Sequence, residues 1–205
     1  MGGDAVSLRH AVLAALFDGE ASGYQLAKNF DVAVSNYWHA LPQQLYGELT
    51  RLEAGGLVSG RNVVQTGRPN KRVFHLTEAG HEELAAFISR PSKVSFIREE
   101  LLVKVQAVEG GDALALADQL DERAMTARGK IALFGKLLGR LRGDLDEHTF
   151  LAESSRIGPY LTGLRGLAFE QENLDWFTWT AEVLRARASG TAVPGRPISA
   201  DQPSS

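Results

Sequence analysis

Apolar residues recur along the first ninety positions in two rhythms. Leu8, Val12, Leu13 and Leu16 fall at helical spacing, and the pattern stops at Asp18-Gly19, which predicts a first helix. Ser22 opens a second: Gln25 follows three positions later, the spacing of a capping box, and Leu26 and Phe30 carry the apolar stripe onward. Pro42, whose fixed φ suits a first helical turn, begins a third helix that runs through QQLYGELTRLEA to a stop at Gly55-Gly56. The rhythm then changes. LVSGRNVVQ and KRVFHL are β-rich segments joined by TGRPN, whose glycine and proline form turns, so the pair predicts a hairpin. Thr77 caps a fourth helix bearing Leu84, Phe87 and Ile88, which ends before Pro91.

Past Pro91 the pattern is helical throughout. Residues 99–108 place Leu101, Leu102, Val105 and Val108 on one side of a short helix; Gly110-Gly111 ends it, and Asp112 caps a much longer one. Along the long helix Ala117, Leu120, Ala124, Ala127, Ile131, Phe134, Leu138, Leu141 and Leu145 alternate spacings of three and four, a heptad seam sustained for four repeats. Such a seam demands a partner helix. Two are available: the same helix of a second subunit, and a final helix from about Pro159 to Arg187. Leu120, Ile131, Phe134, Leu138, Leu141 and Leu145 are accordingly the candidate dimer interface. Gly129, Gly135, Gly139 and Gly143 interrupt this helix, each costing about 0.8–1 kcal/mol relative to alanine in a helix interior, and either admit a close neighbour or mark a bend. After Arg187 the sequence ASGTAVPGRPISADQPSS has no periodicity and reads as a disordered tail.

The expected fold is therefore mainly α: a winged helix-turn-helix with a two-stranded wing over residues 5–90, a coiled-coil-like helical dimerisation domain over 91–187, and a tail over 188–205. The order of three helices, hairpin and helix makes the third helix the one to test for a reading role. At about 100° per residue, Leu41, Leu45, Leu49 and Leu52 lie within about 80° of one another and form a core face. Opposite them stand Gln43, Gly47, Thr50 and Ala54, with Gln44 and Arg51 on one shoulder and Tyr46 on the other. That face suits a DNA major groove: Gln pairs with adenine through two hydrogen bonds, Thr offers a hydroxyl and a methyl, and Gly47 lets the backbone approach the bases.

Net charge is −3 over 205 residues, which by itself argues mildly against nucleic acid. Its distribution argues the other way. Between residues 40 and 75, five cations (Arg51, Arg61, Arg68, Lys71, Arg72) face two acids (Glu48, Glu53). A basic hairpin after a polar helix face is the footprint of a wing, with Arg68, Lys71 and Arg72 reaching phosphates or the minor groove. The rival reading, a winged helix used as a protein-interaction module without DNA, gives no reason for three cations at the tip. A dimer that sequesters drugs without binding DNA is a third.

LRHAVLAAL, SGYQLAKNF, QQLYGELTRLEAGGLV and GRPNKRVFHLTEAG, in this order and spacing, resemble the PadR family of bacterial transcriptional regulators, in its branch with a long helical C-terminal domain. The resemblance is specific in the recognition helix and wing, and covers about residues 5–187. It implies a homodimeric repressor, less often an activator, often released by a small aromatic ligand such as a phenolic acid. It also implies that Tyr46, Arg68, Lys71 and Arg72 lie at the DNA surface and that Tyr24 reaches a phosphate. YWHALPQQ departs from many relatives in carrying the bulky Trp38 and His39 before the recognition helix.

The last helix concentrates Phe169, Trp176, Phe177 and Trp179. At helical spacing such aromatics serve a core or an interface; beside Gln171, Asn173 and Asp175 they also suit a flat ligand, so Phe169, Trp176 and Trp179 are the candidate ligand residues. Catalysis finds little footing: the five histidines are dispersed, no glycine-rich phosphate loop is present, and Asp144 with His148 at i, i+4 makes a surface ion pair more readily than a metal site. No cofactor is expected. Without a cysteine, a basic leader or an apolar run of about 18 residues, the chain reads as cytoplasmic, with no membrane span.

Overall fold

The computed structural model describes residues 3–17, 19–30, 40–64, 67, 70–92 and 98–196. The chain divides into two compact units, Met1–Val94 and Ser95–Ser205.

The first unit contains α1 (Gly3–Leu16), β1 (Ala21–Ser22), α2 (Gly23–Asn29), α3 (Pro42–Ala54), β2 (Val58–Val63), β3 (Lys71–Leu76) and α4 (Glu78–Ile88). Local chemistry sets the boundaries. Ser22 Oγ accepts from the Gln25 amide at 3.2 Å while Gln25 Oε1 accepts from the Ser22 amide at 3.0 Å, the reciprocal bonds of a capping box. Thr77 Oγ1 accepts from the Gly80 amide at 3.1 Å at the start of α4. Leucines of α3, Leu26, Phe30, and Val12, Leu13 and Leu16 of α1 bury one core together with Phe74 and Leu76 of the sheet.

Two expectations are corrected here. The wing belongs to a three-stranded antiparallel sheet in the order β1-β3-β2, since Ala21 pairs with Phe74 and Ser22 with Val73 on the open edge of β3. A strand of two residues carries too little alternation to register as one. Leu41, assigned to the core face of α3, is instead 56% exposed. It precedes the helix with φ −70° and ψ 146°, so helical angles do not apply to its side chain. Trp38 and His39 lie outside the described residues.

The second unit contains α5 (Glu100–Gln106), a 3₁₀ turn (Val108–Gly110), α6 (Ala113–Arg142), α7 (Glu147–Glu153) and α8 (Gly158–Ser189). Asp112 Oδ1 caps α6 by accepting from the amides of Leu114 at 3.0 Å and Ala115 at 3.1 Å. Gly143, at φ +63°, closes it in a conformation that L side chains rarely adopt. Leu145 therefore falls beyond the helix, and Asp144 and His148 share no helix face. Asp146 caps α7, which the heptad reading passes over: its carboxylate accepts from the Thr149 hydroxyl at 2.6 Å and the Thr149 amide at 3.0 Å. These bonds hold the Asp146 carboxyl below its usual range.

Helices α6 and α8 run antiparallel. Asp118 pairs with Arg185, Lys130 with Glu170, each at 2.7 Å, and Leu138 packs on Gly163, so one index falls as the other rises. The seam is consequently closed within the chain. Leu120, Phe134 and Leu138 are buried inside one subunit, Ile131 and Leu141 are half-buried, and Leu145 is exposed. These positions do not present a bare face to a second subunit, because α8 already fills the groove that a partner would fill. The core has two parts, one around Leu116, Ala117, Leu120, Ala181 and Leu184 with Leu101 of α5, the other around Leu138, Phe150 and Tyr160.

A Cβ added at Gly129, Gly135 or Gly139 would meet no neighbour within 4 Å, so no helix among the described residues uses their small size. Helix α8 continues two residues past the expected Arg187 to Ser189 and is capped by Gly190 at φ +67°. Of the segment expected to be disordered, Pro194 is tied back, its carbonyl accepting from Trp179 Nε1 at 3.1 Å. Residues 197–205 lie outside the described residues. Among the described residues no helix is long and apolar enough to cross a membrane, and no group of three or more His, Asp or Glu is placed to hold a metal ion.

Candidate nucleic-acid interface

Helix α3 turns Leu45, Leu49 and Leu52 into the core, each no more than 2% exposed, and leaves Gln43, Gln44, Tyr46, Thr50 and Arg51 in solvent. Gly47 stands among them. A Cβ there would meet nothing within 4 Å, so nothing among the described residues requires a glycine in the middle of this helix. Gln44 Oε1 already accepts from the Leu41 amide at 2.9 Å, which leaves only its NH₂ for a ligand. Gln43 keeps both amide atoms, and bidentate pairing with adenine needs both. Thr50 Oγ1 donates to the Tyr46 carbonyl at 3.1 Å, so towards a base it offers acceptor lone pairs and a methyl, not a proton.

Tyr46 is positioned by the neighbouring helix. A Cβ on Gly23, the first residue of α2, would meet Tyr46 Cε1 at 2.3 Å; the ring edge at Cε1 lies against bare backbone. Tyr24, next along, is 72% exposed. The two tyrosines thus come from α2 and α3 to adjacent places. Arg51 Nη1 donates to Glu48 Oε2 at 2.8 Å, and Glu48 is nearly fully buried whereas Arg51 is 72% exposed. The guanidinium compensates a buried carboxylate on one side and keeps its other nitrogens in solvent.

The wing cations fall into two groups. Arg61 of β2 forms a forked pair with Glu20, Nε at 3.0 Å from Oε1 and Nη2 against Oε2, which holds the Glu20 carboxyl below its usual range and raises the guanidinium. Arg72 of β3 donates to Glu53 Oε1 at 2.7 Å. Lys71, half-buried at the start of β3, makes no ion pair among the described residues. Gly67 adopts φ +73°, the left-handed conformation that the turn requires. Arg68 lies outside the described residues. Sequence reading counted Glu48 and Glu53 only as charge within the basic stretch and passed over Glu20, Gly23 and Gly60; the pairing of Glu53 with Arg72 and of Glu20 with Arg61 left no local signal.

The aromatic residues of α8 do not converge. Trp176 meets Phe177 edge-on at 5.6 Å, both packed against the cluster of α5, α6 and α8. Trp179 turns to Pro194, and Phe169 lies nearly three turns earlier on α8, under the Arg165 guanidinium at 5.4 Å. A cavity of about 280 Å³ opens elsewhere, between α5 and α6, lined by Lys104, Val108, Asp112, Leu116 and Gln119.

Over 196 residues the sequence is 31% identical to the probable transcriptional regulator Rv1176c of Mycobacterium tuberculosis, covering 89% of this chain and 100% of that one. Residues 12–86 match the model of the transcriptional regulator PadR-like family, and residues 97–185 that of the virulence activator alpha C-term. The chain belongs to the PadR family. The negative transcriptional regulator PadR of Bacillus subtilis is 24% identical over 82% of this chain and 92% of its own. Its crystal structure in complex with operator DNA shares the PadR fold seen here, with a TM-score of 0.71 at 23% identity over 85% of this chain and 96% of that one. The same protein in complex with p-coumaric acid superposes with a TM-score of 0.65 at 21% identity over 90% and 98%.

Proposed function

We propose that this PadR-family regulator binds a two-fold symmetric DNA operator as a homodimer and represses transcription until a small aromatic ligand releases it. The observation that carries the DNA reading is the outward face of α3, where Gly47 sits bare between Gln43 and Thr50 although nothing among the described residues packs there. A helix interior tolerates that loss of propensity when another molecule's backbone or bases need the space. In this reading Tyr24, Tyr46, Arg51 and Lys71 serve as phosphate contacts, and Arg68, outside the described residues, is assigned the same role from the sequence. The relative bound to operator DNA supports the same assignment.

The dimer contact uses the surface that α8 leaves open. On α6, Met125 and Leu133 are 62% and 40% exposed, with Gly129 and Ala132 on the same face, opposite the buried seam. Pairing of two such faces sets the two recognition helices about one DNA turn apart, roughly 34–36 Å. The effector arm rests on the relative's complex with p-coumaric acid. A binding role, without catalysis, and a cytoplasmic location follow from work on DNA.

The deciding experiment selects duplexes from a random pool with the full chain and follows their binding by fluorescence anisotropy across salt concentrations. Sequence-selective, salt-dependent binding is expected; equal, weak binding to selected and scrambled duplexes would return the winged helix to protein recognition. Titration with p-coumaric acid, read by tryptophan fluorescence and repeated with the duplex bound, tests the effector. Quenching that persists in both Trp176→Phe and Trp179→Phe places the ligand away from the aromatic residues of α8.

A further inference from the structure

Arg72 was read from the sequence as a phosphate contact, yet its guanidinium is already engaged by Glu53 and by the Phe74 ring. Nη2 donates to Glu53 Oε1 at 2.7 Å. The same carboxylate oxygen accepts from the Gly60 amide at 2.9 Å, so one atom of α3 holds backbone from β2 and a side chain from β3. The guanidinium carbon lies 5.6 Å from the centre of the Phe74 ring, a cation–π contact on the strand face that Arg72 and Phe74 share. Phe74 is part of the core that the leucines of α3 also fill. Alternation along β3 puts Lys71 on the opposite face.

Gly60 is what makes room for this arrangement. A Cβ there would stand 2.6 Å from Arg72 Nε, 2.7 Å from Glu53 Oε1 and 2.9 Å from Phe74 Cε1, three clashes at once. The glycine is demanded by the side chains over it, its φ being ordinary. A phosphate drawn to the remaining nitrogens of Arg72 would stand beside the Glu53 carboxylate, 30% exposed, whose negative charge opposes it.

We propose that Arg72 and Glu53 are positioning residues rather than DNA contacts: with Gly60 they form a clasp that fixes the root of the wing to the last turn of the recognition helix. The angle between the two DNA-reaching elements is then set by one carboxylate, and the phosphate work of the described strands falls to Lys71. This rests on the reading of α3 and the wing as a DNA-binding surface.

The test compares Glu53→Gln, Arg72→Gln and Lys71→Gln in the full chain, on a duplex selected from a random pool, over a series of salt concentrations. A clasp requires that Glu53→Gln and Arg72→Gln both weaken binding several-fold and leave the slope of log K against log salt unchanged, while Lys71→Gln flattens the slope by about one unit for each subunit in contact. Tighter binding by Glu53→Gln, or a flattened slope in Arg72→Gln, would make Arg72 a phosphate ligand that Glu53 holds back, and would overturn the proposal. Amide hydrogen exchange gives a readout that needs no DNA. Exchange at Gly60 and along β3 accelerates in Glu53→Gln if the clasp holds the wing, and unchanged exchange overturns it. Should the wild-type chain bind no duplex, the DNA reading fails by itself and exchange alone judges the clasp.

Discussion

The ring of Tyr46 occupies the place where a side chain of residue 23 would begin, with Cε1 2.3 Å from a Cβ built on Gly23. A glycine at the first position of α2 is thereby coupled to the residue of α3 that we propose to face DNA. Gly23→Ala is expected to push the half-exposed ring outward, at a cost in stability within about 0.5 kcal/mol, since solvent accepts the displaced ring. DNA affinity is expected to fall with it. Anisotropy titration beside a thermal melt checks this: an unchanged affinity would show that the seat of the ring does not matter to DNA binding.

Gly47→Ala separates folding from function. Alanine in the interior of α3 finds open space and is expected to raise stability by about 0.5–1 kcal/mol. Affinity for a selected duplex is expected to drop because a methyl now stands at the groove. A variant that is both more stable and fully DNA-competent would remove Gly47 from the interface.

Gln43 and Gln44 are expected to behave differently although both are exposed. Gln43→Ala removes an amide with both atoms available and lowers discrimination at particular base pairs by about 1–3 kcal/mol, with non-specific affinity nearly intact. Gln44→Ala frees the Leu41 amide and acts mainly on the stability of the start of α3. Competition with single-base-pair variants of the selected duplex distinguishes the two.

Substitutions on opposite faces of α6 are expected to separate assembly from folding. Leu138→Ala empties a site packed on Gly163 and costs about 2–5 kcal/mol. Leu133→Lys, on the exposed face, leaves the melting temperature nearly unchanged and shifts sedimentation from dimer to monomer. A Leu133→Lys protein that remains dimeric assigns the contact to another surface.

Acid weakens the first unit through Glu83. Its carboxylate accepts from His10 Nε2 at 3.0 Å, and that hydrogen bond, with lesser contributions from Arg9 and Arg90, holds its pKa below the usual carboxylate range. The imidazole is buried and stacked on Phe87 at 3.9 Å, so α1 and α4 meet through this pair. A carboxyl whose folded pKa is depressed contributes stability that is complete above the unfolded value of about 4.3 and is lost as pH falls through the folded one. The stability difference between wild type and Glu83→Gln is therefore expected to be constant above about pH 5.5 and to shrink steadily below about pH 4. Denaturant melts across that range measure it, and a difference independent of pH would dissociate Glu83 from the effect.

Helix starts, the hairpin and the exposed polar face of α3 were legible in the sequence because each depends on residues a few positions apart. Ser22 with Gln25, Thr77 before α4, Asp112 before α6, and the leucines of α3 are local patterns whose geometry hardly varies with surroundings. Partnership is another matter. The heptad of α6 states that a helix must cover it, and only the folded chain supplies α8 as that cover, because the choice between the same chain and a second one depends on the turn through Gly143 and α7 and not on the seam itself. The same holds for charge. Arg68, Lys71 and Arg72 are equivalent as letters, but alternation along β3 and the distance to Glu53 give Lys71 and Arg72 different neighbours. Sequence determined which side chains are available to this protein; the tertiary structure decided which of them are already spent on one another, since hydrogen bonds and ion pairs between residues distant along the chain exist only once packing has brought them within about 3 Å.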